Sequence, residues 1–99
     1  MSMRSITSCL GYQQITSLAT AVGLTVPTLS PEGLQCSPSV AVIVPEGASI
    51  RWRDDGVNPT AAIGMPVSVG SILEYDGDLT KVRFIQQSAG AVLNVVYYA

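Results

Sequence analysis

Histidine is absent from the 99-residue chain, and that removes Ser-His-Asp and Cys-His machinery and every His-ligated metal site. Charge is scarce as well. Only 12% of residues are charged, with Lys+Arg 5 against Asp+Glu 7 and a net charge of -2, where an ordinary soluble domain has about 25%. Five basic residues in an acidic chain leave no electrostatic footprint for phosphate backbones, so no nucleic-acid partner is expected. Long apolar runs are also missing. The longest, Val40 to Val44, is closed by Pro45, far short of the about 20 residues of a membrane span. Ile6-Thr7-Ser8-Cys9 has the outline of a lipoprotein cleavage box, but no apolar stretch precedes it, so no signal peptide and no membrane partner are expected.

What is present is apolar: 47% of residues are hydrophobic. That excludes intrinsic disorder, and the length implies a single domain, residues 1–99. A small monomer with so little charge is poorly protected against association, so part of its apolar surface is expected to meet copies of itself or a partner. Cys9 and Cys36 are either a disulfide or two reduced, partly buried thiols; spacing alone does not decide.

Gly and Pro punctuate the chain every few residues, and segments of about 4–9 residues rich in Val, Ile, Thr and aromatics lie between them. The fold class expected is all-β, a small antiparallel β-sandwich or jelly-roll-like barrel. Ala48 to Arg53 alternates, with Ala48, Ile50 and Trp52 on one face; Lys81 to Gln86 places Val82 and Phe84 inward. Val40 to Val44 and Ala91 to Tyr98 are apolar on both faces, as a central or partner-covered strand is. Val22 to Val26, Met65 to Val69 and Ser71 to Asp76 complete the set. Tyr12 to Ala21 is the best helical stretch, but Thr16, Ser17 and Thr20 are weak helix formers, and residues 1–17 are read as an extended or irregular arm. Pro45-Glu46-Gly47 and Asp76-Gly77-Asp78 are read as hairpin turns.

The densest polar cluster is Arg51, Arg53, Asp54 and Asp55 around Trp52. Its simplest reading is a structural network, the arginines pairing with the aspartates while Trp52 fills the core. The functional alternative is a polar site with an aromatic platform for a sugar or charged ligand. Glu74, Asp76 and Asp78 have a spacing that could ligate calcium, but no downstream bidentate Glu follows, and a solvated turn is preferred. Tyr97 and Tyr98 must point to opposite faces, one into the core and one outward. No basic residue other than Arg4 lies near either cysteine in sequence to activate a thiol. No catalytic residue, cofactor or metal site is expected.

Gly11-Tyr12-Gln13-Gln14-Ile15, Pro45-Glu46-Gly47, Ile50-Arg51-Trp52-Arg53-Asp54-Asp55-Gly56, Leu73-Glu74-Tyr75-Asp76-Gly77-Asp78-Leu79, Val82-Arg83-Phe84-Ile85 and Leu93-Asn94-Val95-Val96-Tyr97-Tyr98 together resemble a family of small β-rich virion proteins of tailed bacteriophages, similar to capsid decoration (cement) proteins. Between the first two strands the segment Ser30 to Pro38 is longer than that pattern. The resemblance implies a protein made in the host cytoplasm and located on the capsid surface. There it binds the major capsid protein or another virion component without catalysis, as a homo-oligomer, a trimer first and a dimer second. Val40, Val42, Val92, Val96 and Tyr98 are the expected interface residues. The competing expectation is a carbohydrate-binding or host-surface adhesin module of the virion, using Trp52 or Tyr98 as a platform.

Overall fold

Alternation of apolar and polar side chains along short strands becomes, in a computed structural model of the chain, two sheets facing one another. The structure describes residues 9–26 and 38–99. These residues form eight strands and no helix: β1 (Cys9–Ile15), β2 (Val22–Gly23), β3 (Val40–Glu46), β4 (Ile50–Arg53), β5 (Met65–Val67), β6 (Leu73–Tyr75), β7 (Arg83–Gln86) and β8 (Val92–Tyr98). One sheet, called A, has the order β1-β8-β3-β6; the other, B, has the order β2-β7-β4-β5. Every pairing is antiparallel. The chain changes sheet at every connection except the β4–β5 hairpin, and this strand order is that of a jelly roll.

The core lies between the sheets. Ala41, Ile43, Leu93, Val95 and Tyr97 point inward from sheet A, and Ile50, Val67, Val82 and Phe84 meet them from sheet B and its approach. Leu18, in the β1–β2 connection, is fully buried among them, and its carbonyl accepts the Gln86 N–H. Each such side chain, once fully buried, contributes roughly 1.5–3 kcal/mol. No buried side-chain polar atom lacks a partner among the described residues. The inward Tyr97 hydroxyl donates to Gln13 Oε1 at 2.6 Å, and the same oxygen accepts the Thr25 N–H at 3.1 Å.

The two Pro/Gly-bounded turns differ from the hairpins expected of them. β3 continues through Pro45 and Glu46, which pair with Leu93 and Val92 of β8, and the chain then crosses to sheet B. Asp76 to Asp78 likewise carries the chain from sheet A to sheet B. Both flanking strands in each case have an apolar face, and burying those faces against each other requires opposite sheets. Pro45 is tolerated because the edge it turns toward β6 lies beyond the last β6 pair, Ile43–Leu73. Its carbonyl on that side accepts the Gly70 N–H instead. Within the segment read as an arm, Cys9–Ile15 is a strand paired along its length with β8, with a bulge between Cys9 and Gly11. Cys9 is exposed, not partly buried; Cys36, its possible pairing, and most of the Ser30 to Pro38 segment lie outside the described residues.

The sheet-to-sheet crossings are tight at one point. Gly47 has φ +84°, and a Cβ there would stand 2.3 Å from the Gly90 carbonyl oxygen, whereas Gly70, with the same φ, faces open space. Gly70→Ala is expected to cost only the about 1–2 kcal/mol of a left-handed L-residue, and Gly47→Ala clearly more. Urea unfolding of both variants checks this; equal losses would refute a close approach of the two crossings.

Candidate functional site

The polar cluster sits where β4 runs out into the β4–β5 loop, and the structure divides it into three separate interactions. Arg53 pairs with Asp55, its Nε donating to Oδ1 at 3.0 Å and its Nη2 to Oδ2. That hydrogen bond holds the exposed Asp55 carboxyl below its usual range. Arg51 ignores both aspartates. It donates to the backbone carbonyls of Ala61 and Gly64, at 3.0 and 2.8 Å, and so ties the returning arm of the loop to its own strand. Between them the Thr60–Ile63 turn closes on reciprocal backbone hydrogen bonds.

Asp54 belongs to a third group. It accepts the Tyr75 hydroxyl at 2.6 Å, and Tyr75 comes from β6 of the opposite sheet. The Tyr75 ring meets Trp52 edge-to-face, with centroids 5.6 Å apart, a geometry worth about 0.5–1.5 kcal/mol beyond area burial. Trp52 lies in the inward row with Phe84 and Val22 and packs against the core. Gly77 allows Tyr75 its position: a Cβ at Gly77 would stand 2.5 Å from the Tyr75 oxygen. Burial raises the Tyr75 phenol above its ordinary range, reinforced by the Asp54 carboxylate.

Two clefts flank the Asp54–Asp55 ridge. One, of about 410 Å³, is polar and lined by Asp54, Asp55, Asn58, Thr80, Lys81 and Arg83. The other, of about 590 Å³, has Trp52, Ile63 and Met65 along it, the last two each 57% exposed. The polar cleft is completed by the β6–β7 connection. There Asp78 Oδ1 accepts both the Thr80 N–H and its hydroxyl, at 3.0 and 2.6 Å, which holds the Asp78 carboxyl below its usual range. Arg83 stands directly opposite Arg53, an arrangement that like charges disfavour. The repulsion is relieved because Asp55 takes Arg53, while Arg83 Nη1 turns over Gly23 to the carbonyls of Thr80 and Val82. No cluster of three or more metal-ligating side chains occurs among the described residues, and the acidic trio of Glu74, Asp76 and Asp78 does not converge.

The apolar residues expected at an interface share the outer face of sheet A. The register aligns Tyr12, Val96, Val42 and Glu74 across all four strands, with Tyr98 beside Val40 and Val92 beside Glu46. Val42, Val92, Val96 and Tyr98 are half-buried. Val40 is only 4% exposed and adds nothing to the surface. Tyr12, 60% exposed, joins it, its hydroxyl donating to Asn94 Oδ1 at 2.7 Å; Asn94 Nδ2 in turn donates to Glu46 Oε1 at 3.1 Å. Neither Tyr12 nor Tyr75 was among the candidate site residues in the sequence. Tyr75 is separated by 21 positions from Asp54, so no local pattern joins them, whereas Asp78-Leu79-Thr80 is a readable side-chain-capped turn.

Comparisons with protein-family models, with curated proteins and with solved structures find nothing that matches the chain.

Burial pushes the Tyr97 phenol up to about 12 and that of Tyr75 higher still, against about 10 in an unfolded chain. Between these values the unfolded chain has lost protons that the fold retains, so the stability held below pH about 10 falls as pH rises toward 12. Thermal unfolding across that range should show the decline, and Tyr97→Phe, less stable at neutral pH for want of the Gln13 bond, should show a shallower one. An unchanged slope would mean Tyr97 is not the titrating group.

Proposed function

We propose that the chain is a non-catalytic structural protein of a tailed-phage virion, a decoration protein that stabilises the major capsid lattice through surface complementarity. The observation that carries this reading is the outer face of sheet A. Its central rows present Val42, Val44, Val92 and Val96, with Tyr12 and Tyr98 beside them and acidic groups, Glu46 and Glu74, at the margins. Aromatic and aliphatic side chains with few charges are what the centre of a protein interface is made of. The resemblance of the residue strings to those of small virion proteins points the same way, as does a composition poor in charge.

On this reading the face is closed by copies of the chain around a local symmetry axis, a homotrimer before a dimer, and the assembled clamp seats on the capsid protein. A jelly roll supplies the rigidity such a clamp needs, because both sheets are locked by crossings and not by one hinge.

Val96→Asp places a carboxylate at the middle of the face. The expected outcome is an oligomeric wild type and a monomeric, folded variant by light scattering on a sizing column, with the variant also failing to bind capsid shells that lack the protein. A monomeric wild type at all concentrations would overturn the self-assembly; shells that bind neither protein would overturn the capsid assignment.

A further inference from the structure

The two clefts at the other end of the molecule, on sheet B, have no part in that docking surface. We propose that they form one binding site for a neutral saccharide, with the polar cleft of Asp54, Asp55, Asn58, Thr80, Lys81 and Arg83 taking the hydroxyls and the Trp52–Ile63–Met65 notch taking an apolar sugar face.

Three observations carry this. First, the clefts share a wall: Asp54 and Asp55 line both. A sugar ring has the same division, hydroxyls around its rim and C–H groups on its faces, so a ligand lying over the ridge meets matching chemistry on each side. Second, both signs of charge line the site, Asp54 and Asp55 beside Arg53, Lys81 and Arg83, and Asp55 is already paired with Arg53. A site of that kind presents no block of like charge to hold a strongly charged ligand. It offers carboxylate acceptors beside ammonium, guanidinium and amide donors, and a hydroxyl can accept from one and donate to the next. Among the described residues the Arg83 side chain bonds through Nη1 alone, and Lys81 bonds through its backbone N–H to the Asp78 carbonyl while its ammonium acts on the Asp78 carboxylate through charge, so side-chain N–H groups remain for a ligand.

Third, the walls are fixed before anything binds. Asp54 is held by Tyr75, Asp55 by Arg53, Thr80 by Asp78, and the β4–β5 loop by Arg51. Preorganised polar groups lower the ordering cost that otherwise consumes most of a weak ligand's affinity. A ligand in the notch would also cover the exposed Ile63 and Met65.

The test uses the full chain, with cellobiose, lactose and chitobiose as probes and inorganic phosphate and galacturonate as charged controls. Amide shifts in two-dimensional NMR and the emission of Trp52, the single tryptophan, are followed together. At least one disaccharide should move the amides of residues 54–58 and 80–83 and change Trp52 emission, with a dissociation constant of about 1 mM. Asn58→Ala and Arg83→Met should each weaken it about tenfold, while Val96→Asp, on the opposite face, should leave it unchanged. Asn58 is exposed and Arg83 half-buried, and dispersed spectra of both variants would show that the fold persists. Absence of any disaccharide effect, effects confined to other residues, or a response to phosphate or galacturonate alone would each overturn the proposal. None of these results depends on whether the chain binds capsid.

Discussion

A single hydroxyl joins the two halves of this molecule at its polar end. Tyr75 leaves sheet A, meets Trp52 of sheet B edge-on and donates to Asp54 on the far side of it. The ring belongs to the core and the oxygen belongs to the surface. Because the acceptor is charged, the bond is of the stronger kind, about 1.5–3 kcal/mol, and its loss would leave a carboxylate with no fixed orientation at the ridge between the clefts. Gly77 has to remain without a side chain for the same reason. Core packing and surface chemistry are thus set by one contact.

The two broad faces of the sandwich have opposite characters. All four Lys and Arg of the described residues, Arg51, Arg53, Lys81 and Arg83, lie on the outer side of sheet B or its margin. The outer side of sheet A has none; its valines and tyrosines share that face with Gln14 and Asn94 and are bordered by Glu46 and Glu74. That asymmetry of the cationic residues separates an apolar surface suited to protein contact from a polar one suited to a small ligand.

Much of this was legible in the residues. Period-two alternation located β4 and β7 and chose the inward side correctly for Ile50 and Phe84, because burial on one face is a local pattern; β3 and β8 showed as two-sided apolar runs, which left their inward side open. β1 was not legible as a strand: Gly11, Gln13 and Gln14 have weak strand preference, and only its pairing with β8 makes it one. The turns at Pro45–Gly47 and Asp76–Asp78 were placed well and interpreted wrongly. A turn motif records that the chain reverses, and cannot say whether the next strand joins the same sheet or the facing one. Arg51 is a similar case. Its neighbours in sequence suggested an aspartate partner, but the hairpin returns Ala61 and Gly64 closer to its guanidinium than either carboxylate.

β8 lies between β1 and β3, pairing with both, although it follows them by many tens of residues. Sheet A therefore cannot assemble until β8, one of its two internal strands, is available to pair. Until then β1 and β3 have no ladder between them, and their apolar residues stay open to other chains. Such non-local pairing is slow to form and exposed to aggregation. Folding of sheet A thus waits on β8, whatever order the earlier strands take.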